Sequence, residues 1–163
     1  MDKTMKFLAD CMVGKLARWL RILGFDVAYS TRSDDQGLIE LAVKEQRILL
    51  TRDRELAKRT LGKSLLIESE RWEEQLKQVL ERFNLLSEID PFTRCVSCNA
   101  SIKPLPKKEA QKFVPPIVYE ENESFAHCPE CGRVFWKGSH YKHMKEKIDF
   151  FTAQEGAVEL PGT

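Results

Sequence analysis

The chain reads as an α/β protein, a parallel sheet flanked by helices and followed by a small cysteine-rich module. Three observations predict this. Short apolar runs alternate with helix-patterned segments from Met5 to about Leu86, the order that yields a parallel sheet covered by helices. Near Ile89–Phe92 the composition turns to prolines, lysines, aromatics and cysteine pairs. Four of the five cysteines then fall into two Cys-x-x-Cys pairs, a spacing suited to metal. The expected divisions are an α/β domain over 1–90, a four-cysteine module with a C-terminal helix over 91–151, and a disordered tail over 152–163.

Each element has its own signal. Met5–Ala9 is an apolar strand. Val13, Leu16, Ala17, Leu20 and Leu23 recur at helical spacing, and Gly24 stands where a helix ends. Asp26–Ser30 is the second strand. The second helix is SDDQGLIELAVKEQ, in which Ser33 and Gln36 have the spacing of a capping box. Arg47–Leu50 is the third strand, Asp53–Leu61 the third helix and Ser64–Glu68 the fourth strand. Arg71–Leu86 is a longer amphipathic helix. Little helical periodicity follows until Tyr141, and the Lys/Pro-rich stretch 103–116 separates the cysteine pairs.

Composition bounds the function. A formal charge of +1 gives no overall attraction for nucleic acid, so local clusters must carry any such argument. No stretch is long and apolar enough to span a membrane, and MDKTMKFLADCMVGK lacks a signal-peptide core. A cytoplasmic location without membrane contact is therefore expected, and the cysteines are read as metal ligands rather than disulfides.

In wound parallel sheets the site lies outside the carboxyl ends of the strands, and this sorts the acids. Asp10 and Asp53 each follow a strand, and Asp34 and Asp35 open the helix after the second strand. Asp26 starts a strand, belongs at the opposite edge and is the internal control, so Asp26→Asn is expected to leave activity unchanged. Converging carboxylates repel unless a cation neutralises them. Magnesium or manganese would take the oxygens of Asp10, Asp35 (or Asp34) and Asp53 and support attack of water on a phosphate. Helix capping explains each acid singly, whereas three at successive β–α junctions point to a joint role. Lys15, Arg18 and Arg21 form a basic stripe, and Arg52 and Arg54 flank Asp53. Arg18, Arg21 and Arg52 are the candidates for holding a phosphate backbone, while Lys15 and Arg54 read as solvated charges.

Cys95, Cys98, Cys128 and Cys131 fit a closed tetrahedral zinc site. Asn99 and Gly132, both small turn-formers, follow the two pairs, which 29 residues (99–127) separate. His127 is surplus to such a site, and Cys11 reads as a small buried residue. A closed site has no open position for catalysis, so the chemistry falls to the acids. In Arg133–Lys147, Phe135 and Trp136 either stack on bases or pack the module onto the main domain. Both readings stand.

Taken together, FLADCMVGKLARWLRILGFDV, DDQGLIELA, RILLTRD, RCVSCN and CPECGRVFWKGSHY closely resemble the Mut-seven C-terminal RNase family, from about Met5 to Met144. The resemblance implies a PIN-like α/β/α nuclease domain with a zinc ribbon, a divalent catalytic metal and RNA as substrate. It places the family's acids on Asp10, Asp35 and Asp53, three where most PIN nucleases cluster four. Thr51 and Arg52 fall in its strand-end motif, where the Thr51 hydroxyl can orient a ligand. The expected function is a Mg²⁺- or Mn²⁺-dependent ribonuclease with structural Zn²⁺. The alternative is an RNA-binding module whose PIN-like site cleaves weakly or not at all. A phosphoacceptor receiver domain also sets acids at β–α junctions, but it wants a lysine after a later strand, and SLLIESER supplies only an arginine.

Overall fold

The computed structural model describes residues 4–31 and 33–156 of the chain. It divides into two units, Met1–Asn99 and Ala100–Thr163. The division falls beyond the composition change near residue 90 because the intervening segment bonds back to the first unit. Asp90 N donates to Leu23 O at 3.0 Å and Phe92 N to Ile22 O at 2.9 Å. Gly24 makes this approach possible. Its φ is +98°, and a Cβ there would stand 2.3 Å from Asp90 O, so the predicted helix end is also a close backbone crossing.

The first unit holds four parallel strands, β1 (Lys6–Ala9), β2 (Asp26–Tyr29), β3 (Ile48–Thr51) and β4 (Ser64–Leu66). Their spatial order is β2-β1-β3-β4. The helices are α1 (Gly14–Ile22), α2 (Asp35–Lys44), α3 (Arg54–Arg59) and α4 (Trp72–Arg82). The chain moves from β1 to β2 in one direction, then returns past β1 to β3. Right-handed crossovers running in opposite directions place their helices on opposite faces. Side-chain packing agrees. Leu8 and Leu49 share a buried cluster with Leu38 and Ala42 of α2 and Leu56 of α3. On the other face Phe7 meets Phe83, just beyond α4, with ring centroids 5.5 Å apart. Trp19 of α1 stacks on Trp72 of α4 at 4.6 Å.

Two local expectations are corrected. Asp34, rather than Ser33, caps α2, accepting from Gly37 N at 2.8 Å. Ser33 is instead tied to Ser30, whose hydroxyl oxygen accepts from Ser33 N at 3.2 Å. Cys11 is exposed, not buried, because it opens a 3-10 turn (Cys11–Val13) in which Val13 is the residue facing the core.

The second unit contains a three-stranded antiparallel sheet in the order β5 (Lys103–Leu105), β6 (Phe125–His127), β7 (Val134–Trp136). The Lys/Pro-rich stretch, unassigned by periodicity, forms α5 (Lys107–Ala110) and, with the residues after it, α6 (Pro116–Glu121). Leu105, Ala110, Val114 and Phe125 make a small core, with Tyr119 and Trp136 packed against it. Trp136 thus serves the core of its own unit. A last helix, α7, runs over Ser139–Gly156 and takes in the first five residues of the expected tail. Residues 157–163 lie outside the described ones. Among the described residues no helix is long and apolar enough to cross a membrane.

Candidate active site and metal centre

The reversal of direction in the sheet falls between β1 and β3, and in such folds ligands bind outside the carboxyl ends of the strands at that point. Asp10 follows β1 and Asp53 follows β3 at this point. Asp10 is 4% exposed and Thr51 is fully buried. Asp10 Oδ1 accepts from Met12 N at 2.9 Å, and Oδ2 accepts from the Thr51 hydroxyl. The same Thr51 oxygen accepts from Asp53 N at 3.0 Å. One hydroxyl therefore links the Asp10 carboxylate, at the end of β1, to the backbone amide of Asp53, after β3. Asp53 also caps α3, with Oδ1 accepting from Glu55 N at 2.8 Å and Leu56 N at 3.1 Å.

Asp35 and its neighbour divide the work at the start of α2. Asp34 takes the cap, while Asp35 is exposed and pairs with Arg59 of α3 at 3.2 Å. At α2 the cap and the candidate metal ligand are thus adjacent but different side chains.

The basic residues separate sharply. Arg18 is exposed on α1. Lys15 sits over the Trp72 ring, 5.4 Å from its centroid. Arg52 directly precedes Asp53, with Nη2 3.6 Å from Glu70 Oε1. Arg21, expected on an RNA-facing stripe, is buried instead. Its Nε donates to Val27 O at 2.8 Å and its Nη1 to Val96 O at 3.0 Å and Ser97 O at 3.3 Å. Burial lowers its pKa, and the nearby Cys95, Cys98 and Asp26 oppose that shift. Its carbonyl contacts make it a brace for the first cysteine turn. Thr51, expected to meet substrate, has no exposed surface and acts on the acids.

Asp26 lies at the opposite edge as expected, yet it is no bystander. Its Oδ1 accepts from Arg47 Nη1 at 2.6 Å and Asn99 Nδ2 at 2.7 Å, with Arg94 Nη2 at 4.0 Å from Oδ2. Asn99 Oδ1 accepts in turn from Val27 N at 2.9 Å. Burial alone would raise the Asp26 pKa, but the hydrogen bonds from Arg47 and Asn99 and the charges of Arg47 and Arg94 hold it below the usual value. The signal for this cluster was available: Arg47 directly precedes β3 and so shares the amino edge with Asp26. Extending the carboxyl-edge rule to β4 would likewise have found Glu70.

The sulfurs of Cys95, Cys98, Cys128 and Cys131 all lie within 4.8 Å of one another, placed to hold a metal ion. Tetrahedral zinc with Zn–S bonds of about 2.3 Å sets its sulfurs roughly 3.8 Å apart, so the quartet fits. The two turns are built alike. Asn99 N donates to Cys95 O and Gly132 N to Cys128 O, each at 2.9 Å. Asn99 and Gly132 have φ of 71° and 75°, the left-handed conformation that Asn and Gly tolerate best. Among the described residues this quartet is the group of three or more His, Cys, Asp or Glu side chains gathered closely enough for an ion; the three acids are not drawn together to that degree. His127 lies in β6 beside Cys128 and outside the group.

The family model of the Mut7-C RNase domain matches residues 5–148, which include the three acids and the four cysteines. No curated protein and no solved structure matched the chain. The switch-point acids, the paired cysteine turns and a match over most of the sequence agree, and the chain belongs to the Mut7-C RNase family.

Proposed function

We propose that the chain is a ribonuclease dependent on Mg²⁺ or Mn²⁺, hydrolysing RNA phosphodiesters at the β1/β3 edge with Asp10, Asp35 and Asp53 as metal ligands. The observation that supports this most is the buried Thr51 hydroxyl, which ties the Asp10 carboxylate to the backbone of Asp53 across the switch point. A divalent cation there would supply an activated water and neutralise charge on the phosphate under attack.

The chain's own residues prepare the place. The Thr51 hydroxyl and the Met12 amide fix the plane of the Asp10 carboxylate, whose oxygens each retain accepting capacity. Both α3 amides fall on Asp53 Oδ1, and among the described residues no hydrogen bond falls on Oδ2. The Asp35–Arg59 pair joins two half-exposed groups, a contact worth about 0–1 kcal/mol that a cation can displace. Arg18 and Arg52 hold the RNA backbone. Zinc in the cysteine quartet is structural and supports the fold or RNA binding.

A second reading, an RNA-binding module with a weak site, draws on one observation: the acids are engaged by amides, a hydroxyl and Arg59 rather than gathered around a common point. End-labelled single-stranded RNA incubated with Mg²⁺ or Mn²⁺ separates the two. Cleavage by the wild type that is lost in Asp53→Asn supports the nuclease. Intact RNA in both lanes, with binding retained, supports the module.

A further inference from the structure

We infer that the carboxylate of Glu70 stands where an RNA phosphate docks on Arg52, so that Glu70 sets how tightly the backbone is held at the acid edge. This deepens the ribonuclease reading and rests on it. Arg52 lies in sequence between Thr51, which bonds the Asp10 carboxylate, and Asp53. Its side chain is 25% exposed, yet Nε is enclosed without a hydrogen-bond partner, the one such buried side-chain donor or acceptor among the described residues. An enclosed donor left unmet is costly, and the distance of 3.6 Å from Nη2 to Glu70 Oε1 is too long for a hydrogen bond. The guanidinium is charged and undersatisfied, the state in which it takes up carboxylate or phosphate oxygens through a planar fork of donors.

Glu70 is brought there by the backbone. Ile67 N donates to Thr51 O at 2.7 Å, which carries the chain after β4 alongside the end of β3. The buried Gln75 then donates to Ser69 O at 2.8 Å, and Ser69 Oγ accepts from Arg71 N at 3.1 Å. The loop is fixed on either side of Glu70, while the Glu70 side chain is 85% exposed. A structural pair in this protein looks different: Arg47 and Asp26 meet at 2.6 Å with little of either side chain exposed. A held loop offering an exposed carboxylate to an undersatisfied arginine is a competitor that phosphate displaces.

Fluorescence anisotropy with a labelled single-stranded oligouridylate, without added Mg²⁺ or Mn²⁺, tests this separately from cleavage. Glu70→Gln should bind about 2- to 5-fold tighter than the wild type, the factor expected for release of a surface ion pair. Glu55→Gln is the charge control, since Glu55 is comparably exposed, sits beside Asp53 and pairs with Lys58; it should bind like the wild type. In an Arg52→Ala background Glu70→Gln should gain nothing. An equal gain from Glu55→Gln, a gain that persists without Arg52, or no gain at all overturns the inference. Should Arg52→Ala fail to fold, the Glu70 and Glu55 variants decide. A wild type that binds RNA without cleaving it in Mn²⁺ overturns the nuclease reading, whereas unchanged affinity in Glu70→Gln overturns the Glu70 assignment alone.

Discussion

Replacing Asp26 with Asn tests whether the amino edge of the sheet is a passive control or a support for the first cysteine turn. The carboxylate takes hydrogen bonds from Arg47 and Asn99 and faces Arg94 at 4.0 Å. Asn at this position keeps one acceptor oxygen, loses the charge and turns its own amide donors toward cationic or donor groups. A charge-assisted hydrogen bond in such a setting contributes about 1.5–3 kcal/mol. Breaking a fully buried pair costs about 3–5 kcal/mol, but Arg47 keeps Glu45 at 2.5 Å and Phe7 O at 3.1 Å. The expected loss is therefore about 2–3 kcal/mol, or a fall in Tm of roughly 4–12 °C for a chain of this size. The pH dependence follows from the lowered pKa. The stabilisation from Asp26 is complete above its unfolded value, near 3.8, and is lost as pH falls through the lower folded value. Below about pH 4 the wild type should therefore begin to lose stability that Asp26→Asn never had, and the gap between the two should narrow. Thermal unfolding at pH 7 and pH 3, with zinc release followed by a chromogenic chelator, checks both parts. Asn99 both bonds to Asp26 and closes the Cys95 turn, so the variant should release zinc faster. A wild-type Tm at pH 7 with unchanged zinc release would refute the argument and restore Asp26 as a neutral control.

Other substitutions separate structure from chemistry. Thr51→Val keeps the shape but strands Asp10 Oδ2 and Asp53 N, costing about 1–3 kcal/mol in denaturant unfolding; metal-dependent cleavage should fall roughly 10- to 100-fold and recover in Thr51→Ser. Asp53→Asn retains an acceptor for the α3 amides and should unfold within about 1 kcal/mol of wild type, whereas Asp53→Ala should lose about 0.5–2 kcal/mol; both should abolish cleavage. Gly24→Ala forces a strained left-handed backbone and a clash with Asp90 O, and calorimetry should show a loss of at least ~2 kcal/mol. Cys128→Ser, or chelation of the wild type, should remove the bound metal by elemental analysis and broaden the amide spectrum of the 95–132 region.

The strands and helices of the first unit were legible because each carries one dominant period and a clean break. Leu16, Ala17 and Leu20 mark the inner face of α1, and Gly24 marks its end; both hold in the structure. The ends of elements were less legible where two capping residues compete. Ser33 and Asp34 are both good caps, and the Ser30 contact removed Ser33 from the contest. Periodicity was silent over 103–121, where α5 and α6 span one or two turns each, too short for a repeat to emerge among prolines. Long-range partners were the least visible. Nothing local to Arg21 says that its guanidinium meets the carbonyls of Val96 and Ser97, because that contact depends on the segment after residue 90 returning to Gly24.

The opposition between capping and metal binding dissolves once the oxygens are considered one at a time. A carboxylate has two, and a helix N-terminus needs only one. Asp53 gives Oδ1 to the amides of α3, and those amides thereby fix where Oδ2 points. At α2 the same division is made between two residues, with Asp34 turned to the backbone and Asp35 left outward. Capping is thus the means by which α3 orients the Asp53 carboxylate at the carboxyl edge, without a long element or a dedicated loop. The crossing from β1 to β3 needs one addition, a donor and acceptor in a single buried group, and the Thr51 hydroxyl supplies both. On the proposed reading a cation site assembled this way would take its order from the backbone, which is why asparagine at position 53 should separate fold from chemistry and valine at position 51 should damage both.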